Sequence, residues 1–293
     1  MSWRGRPWQW ETDRRLVYVI MLLSVVGPLI WRISFREHPS PMVQEIFDAI
    51  EALPPDARVL MAYDFDPSTD PEVKPMGDAF TRHLALRRAK LFYLTLWPLG
   101  QGEIDQVLRR VLLAEFPEYR YGTDFVNLGF MSGNEGVIAV ALTDLKKGFT
   151  TDAFNASTAG DNGMPIMRGI DNLRNMDLIV SVASGYPGLR EWIQYAAVPG
   201  RIPIIGGAVA VMSPELFPYV PGQCKGLLAG IKGAAEYEQL LIERYPQLDR
   251  PEARTALDRM GPQTAAHFAI MALIVLGNAM YLLERRRERG RRP

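Results

Sequence analysis

Apolar residues fall into two kinds of pattern along this chain. Residues 16–31 (LVYVIMLLSVVGPLIW) and 265–283 (AAHFAIMALIVLGNAMYLL) are almost wholly apolar. Between them, short continuous apolar runs alternate with stretches of helical spacing. Residues 41–53 place Val43, Ile46, Phe47, Ile50 and Leu53 on one helical face. Residues 58–63 then read as a buried strand, 75–89 as a helix, 90–97 as a second strand and 103–116 as an amphipathic helix. The alternation continues with a strand over 124–130, a helix over 137–144, a strand over 177–184, a helix over 189–197 and a strand over 201–212. Ser213-Pro214-Glu215 has the form of a helix start. Residues 226–245 read as a last long helix. Residues 146–174 form a polar excursion rich in Gly, Asn, Asp and Thr, of the length that serves a function or moves.

Strands that are continuous apolar runs, alternating with helices, imply a parallel sheet covered on both faces. The expected fold is α/β, an open doubly wound, mostly parallel five-stranded sheet of Rossmann or flavodoxin type. It lies between two transmembrane helices.

The two terminal runs supply those helices. A helix needs about 20 residues to cross a hydrocarbon core. The first run reaches that length when counted over 16–35, with Arg32 snorkelling toward the headgroups. No small-residue cleavage site follows it, so an uncleaved anchor is expected rather than a signal peptide. The second span is expected over 263–283, after a helix break at Pro262. The remaining parts are a tail over 1–15, a domain over 36–262 and an Arg-rich tail over 284–293.

Charge refines this layout. The formal net charge is zero, but eleven Arg and only four acidic residues lie outside 36–262. The ends are basic and the middle is acidic. Arg flanks both spans on the terminal side, which predicts both termini in the cytoplasm and an extracytoplasmic domain. An acidic domain lacks the basic stripe that a phosphate backbone needs, so nucleic acid is not an expected partner. The expected partners are the bilayer and other membrane-protein subunits, or further copies of the chain. Cys224 is the only cysteine; no intramolecular disulfide can form, and burial is its expected state.

In doubly wound sheets, ligands sit beyond the C-terminal ends of the strands. The residues there are Asp64 and Asp66, Gly100-Gln101-Gly102, then Gly133, Asn134 and Glu135, then Ser184 and Tyr186, and finally Ser213. Asp64 and Asp66 are two apart on a strand, so both carboxylates can face one side and hold a divalent cation. No GxGxxG or Walker sequence occurs. Ser184 lacks the nucleophile-elbow glycines, and three histidines leave little for a His-based triad or zinc site. Gly226, Gly230, Gly233 and Ala234 give the last helix a small-residue stripe, fit either for its own sheet or for a neighbouring subunit.

The expected function is a membrane-anchored extracytoplasmic binding or assembly module. The alternative is an extracytoplasmic metal-assisted hydrolase or transferase using the strand-end acids. A transporter is disfavoured, because two spans enclose no pathway without self-assembly.

Overall fold

The computed structural model describes residues 14–31, 36–158 and 164–289. Six strands form one sheet: β1 (Arg58–Asp64), β2 (Lys90–Thr95), β3 (Phe125–Phe130), β4 (Leu178–Ala183), β5 (Ile204–Ala208) and β6 (Leu227–Ala229). Their order is β3-β2-β1-β4-β5-β6, and every neighbouring pair is parallel. This is the Rossmann order, in which the winding reverses between β1 and β4. The helices that frame the sheet include α1 (Arg14–Trp31), α2 (Pro41–Glu51), α3 (Asp70–Leu86), α4 (Gly100–Val107), α5 (Asn134–Thr143), the short α6 (Leu189–Trp192), α7 (Gly230–Arg244) and α8 (Thr255–Arg289). Helices α4 and α6 each continue into a π-helical turn, Leu108–Leu112 and Ile193–Ala197.

The chain divides into two units. One is Arg36–Leu257, which contains the whole sheet; the other is Met1–Phe35 with Asp258–Pro293.

The period-2 pattern sorts the strand residues onto two faces. Leu60, Ala62, Phe92, Leu94, Val126, Leu128, Ile179 and Ile204 pack with Ile138 of α5 and with Leu189 and Trp192 of α6. The opposite face carries Tyr63 and Tyr93, whose hydroxyls meet Thr81 of α3 at 3.2 and 3.1 Å. Adjacent glycines in β5 show how closely both layers approach. A Cβ on Gly206 would lie 2.6 Å from Leu189, and one on Gly207 would lie 2.5 Å from Met76 of α3.

The sheet has one strand more than its apolar pattern predicts. Residues 226–229 read as the start of a helix in the sequence, yet Leu227–Ala229 pairs with Gly206–Ala208 of β5. The break falls at Gly230, whose φ of +61° starts the helix only after the strand. Helix α3 also begins earlier than its pattern suggests, with Pro71 in the first turn and Asp70 and Glu72 at the positive end of the helix dipole.

The polar excursion is anchored at several points. Ile166, Met167, Ile170 and Leu173 enter the core, and Ala153 N donates to Asn127 O of the edge strand β3 at 2.9 Å. That bond, with the Asn127 side chain accepting from Gly129 N, covers an edge otherwise open to pairing. Cys224 is fully buried, and its thiol is pushed up to about 12 by burial.

Helix α8 runs unbroken through Pro262, where a break was expected. Proline removes one backbone donor, but the turns on either side keep theirs. Within α8, Thr255–Leu283 is long and apolar enough to cross a membrane. Helix α1 is apolar over Arg15–Trp31 but shorter; seventeen residues rise about 25 Å against a core of about 30 Å. Residues 32–35, which complete the expected first span, lie outside the described residues, as do 1–13 and 290–293.

Candidate functional site at the strand ends

The C-terminal edge of the sheet gathers most of the residues singled out in the sequence. Asp64 ends β1 at the switch point and is completely buried. Its Oδ1 accepts from Leu96 N at 2.7 Å and its Oδ2 from Trp192 Nε1 at 2.6 Å, while its carbonyl accepts from Ser184 N. Burial pushes the Asp64 carboxyl up to about 7, against the pull of these two donors. The carboxyl thus ties the end of β1 to the end of β2 and to α6, and the backbone carbonyl of the same residue holds the end of β4.

Asp66 goes its own way. Its Oδ1 accepts from Ser68 N at 2.9 Å and from the Ser68 hydroxyl, forming the turn that leads into α3. The convergence expected of Asp64 and Asp66 is therefore not made: each carboxylate is committed to a different protein donor. The reason is that β1 ends at Asp64, so the alternation that would align the two does not reach Asp66. Among the described residues no group of three or more His, Cys, Asp or Glu is arranged to hold a metal ion.

The neighbouring turns are tied to one another. Trp97 donates its indole N–H to Pro187 O at 2.8 Å and lies against Gly185, where a Cβ would come within 2.8 Å of the ring. The Tyr186 hydroxyl donates to Glu135 Oε2, bringing two of the expected residues into contact. This bond holds the Glu135 carboxyl below its ordinary range and the Tyr186 phenol above it. Gly133 and Asn134 both take positive φ, +135° and +49°, in the turn that opens α5. Ser184 is half-buried beside Asp64. The Ser213 hydroxyl is buried and donates to Val209 O at 3.2 Å, a local helix-start bond.

The small residues expected to form a docking stripe are all buried within this chain. A Cβ on Gly226 would meet Met42 O of α2 at 2.3 Å, one on Gly230 would meet Glu72 of α3 at 2.8 Å, and one on Gly233 would meet Leu228 at 2.8 Å. Ala234 is fully buried. Two of the four do not share a helix with the others in the way assumed, since Gly226 precedes β6 and Gly230 only opens α7. These residues serve close packing inside the domain, and no neighbouring subunit can reach them.

Several polar side chains not anticipated in the sequence lie between α3 and α4. Glu103 is buried beside Lys74 at 3.5 Å, and its carboxyl is raised by burial and by the charge of Asp70. Two helical turns further along α3 from Lys74, Arg82 forms a bidentate pair with Glu115 at 2.9–3.1 Å, and Arg250 joins the same carboxylate. Lys74, Asp78 and Arg82 recur every four residues on α3, which was visible in the sequence as a polar stripe on an otherwise buried helix. His83 is also buried. Its Nε2 lies 3.0 Å from Glu51 Oε1 and its Nδ1 lies 2.6 Å from the Tyr237 hydroxyl. Burial lowers it to about 4, so the ring is neutral, donating to Glu51 and accepting from Tyr237. Both ring nitrogens are thus taken by Glu51 and Tyr237, and among the described residues no serine or cysteine hydrogen-bonds the ring.

Two clefts bear on the strand ends. One, of about 440 Å³, lies at the opposite edge of the sheet, where Lys90 is paired with Asp124 at 2.6 Å and Asp56 at 3.3 Å. The other, of about 280 Å³, lies at the C-terminal end of β3, between Leu128–Met131, Gln101 and residues 150–153.

The fold and this edge define a doubly wound α/β domain followed by an apolar C-terminal helix. No family model, no curated protein and no solved structure matches the chain.

Proposed function

We propose that this chain is a membrane-anchored binding or assembly module rather than an enzyme. The observation that carries the reading is the switch point, where doubly wound enzymes keep their ligand crevice open. Here Asp64, Trp192, Leu96 and the Trp97–Pro187 bridge close it with the chain's own groups. A carboxyl held by two protein donors in a fully buried position has no route to a substrate. The metal-assisted alternative loses its ligand pair, since Asp64 and Asp66 face different partners.

The membrane half of the proposal has two spans, α8 and a first span completed beyond α1, with both termini in the cytoplasm and the domain outside. It is supported by the length of α8 and by the Arg residues that precede the first apolar run and follow the second. The chain should remain in the membrane pellet after alkaline carbonate washing, and protease added from the extracytoplasmic side should digest the domain. Extracted in mild detergent, it should migrate as an oligomer or carry a second membrane protein with it. A monomeric, partnerless particle would overturn the assembly role, and a domain shielded from external protease would overturn the topology.

A further inference from the structure

We propose that two copies of this chain dock through the outer face of α5, related by a two-fold axis that crosses the helix. Helix α5 lacks the charged outer face that a solvated helix carries. After Glu135, residues 136–143 (GVIAVALT) hold no ionisable side chain. Ile138, Ala141 and Leu142 face the core, whereas Ala139 and Val140 are exposed, Val140 at 39%. Helices of the opposite layer are built otherwise. Helix α2 shows Glu45 and Asp48 to solvent, and α7 shows Lys232 and Glu243.

The apolar face continues onto the adjoining helix. The π-helical turn Ile193–Ala197 packs beside α5. It contributes Tyr195, 41% exposed, and Val198 follows it at 48%. Covering these side chains removes apolar area from water, which favours association in proportion to the area lost.

Charge at the two rims indicates what covers the face. Glu135 stands at the N-terminal end of α5, with Oε2 accepting from the Tyr186 hydroxyl and, among the described residues, no counter-ion. At the other end the short helix Leu145–Gly148 lies against Val140, since a Cβ on Gly148 would be 4.0 Å from Val140 Cγ1. That contact brings the exposed Lys147 to the rim. Its neighbour Lys146 is paired with Asp171 at 3.3 Å, and Asp144 caps the short helix by accepting from Lys147 N at 3.0 Å. The Lys147 ammonium has no acidic partner among the described residues. The face therefore has an apolar centre, an acid without a counter-ion at one end and a base without one at the other. An axis crossing α5 sets Glu135 of each copy against the partner's Lys147 and brings the two Val140 side chains together, so the face is complementary to itself. A partner surface of one charge sign would be repelled at one rim.

This inference rests on the assembly role proposed above and narrows it to a pair of like chains. Cys224 is buried, so Val140→Cys gives the full chain one accessible thiol. In membranes, a short bismaleimide should couple Val140→Cys chains into a covalent dimer. The yield should exceed that of Glu45→Cys, on the opposite layer, by at least about five-fold, and adding Glu135→Lys should lower it by a similar factor through like charge against Lys147. Adding Lys147→Glu to that chain should restore it. Circular dichroism would verify that each variant folds; should Glu135→Lys be unfolded, Lys147→Glu alone must lower the yield instead. The interface is overturned if Val140→Cys couples no better than Glu45→Cys, if exchanging the two charges does not restore coupling, or if the thiol is coupled only to a different protein. An oligomer in detergent that persists unchanged in Val140→Arg also overturns it, and leaves the assembly role itself standing.

Discussion

Trp192 Nε1 donates to Asp64 Oδ2 at 2.6 Å, joining the end of β1 to the first turn of α6 across 128 positions of sequence. The indole is the second of two donors that a fully buried carboxyl receives. Trp192→Phe keeps an aromatic ring in the core but leaves Oδ2 without its indole donor. A loss of about 1.5–3 kcal/mol is expected, the range for a hydrogen bond to a buried carboxylate. Urea unfolding followed by circular dichroism should show a lower midpoint with an unchanged slope.

Stability should depend on pH in two opposing ways. Asp64 and Glu238 are raised by burial to about 7 and about 8, from ordinary values of 3.8 and 4.5. Between the ordinary and raised values the folded chain holds protons that the unfolded chain releases. Their contribution is therefore complete below about pH 4 and is lost as pH rises toward 7–8. Each such proton is worth about 1.4 kcal/mol per pH unit within its window. His83 is lowered from 6.5 to about 4 and acts in the other sense, its contribution being lost as pH falls through that interval. Thermal unfolding should show wild type gaining stability from pH 8 to 6.5. Asp64→Asn should flatten part of that gain, and His83→Gln should steepen the gain between pH 6.5 and about 4.5, where the imidazole offsets one of the two carboxyls.

Two glycine substitutions should differ sharply. Gly226→Ala drives a methyl to 2.3 Å from the Met42 carbonyl, which belongs to backbone and cannot swing aside. A loss of about 1–3 kcal/mol is expected from overpacking. Gly136→Ala, on the exposed side of α5, meets nothing within 4 Å and should stabilise by up to about 1 kcal/mol through helix propensity. Melting temperatures of the two variants side by side would read the contrast.

Removing the carboxylate at Glu115 should be more damaging than either. It would leave Arg82, only 3% exposed, without its bidentate partner, and would strip Arg250 of the same acceptor. Breaking a buried pair from one side costs about 3–5 kcal/mol, so Glu115→Ala should unfold at a markedly lower denaturant concentration. The effect should be much smaller in a background that also carries Arg82→Met.

Much of the fold was legible because local pattern and tertiary environment agree. Residues 41–53 set Val43, Ile46, Phe47 and Ile50 at helical spacing, and all four are buried in α2. Strands β1 to β5 each fall within a continuous apolar run, since strands covered on both faces admit few polar side chains. Strand β6 escaped notice because three residues carry no periodicity, and its two flanking glycines read equally as a helix stripe. The strand-end turns were found from the general geometry of such sheets. Their partners, Trp97 and Trp192, were not found, because nothing local marks a tryptophan as the donor to a carboxyl on another strand.

The sequence by itself determined the alternation of strands and helices, the two apolar ends, the basic flanks and the burial of a lone thiol. These follow from side-chain hydrophobicity and spacing, which act between near neighbours in the chain. Only the tertiary structure decided that Asp64 and Asp66 part company and that the small residues face inward. Each of these depends on which distant group arrives within about 3 Å, the range over which a hydrogen bond forms or a methyl clashes.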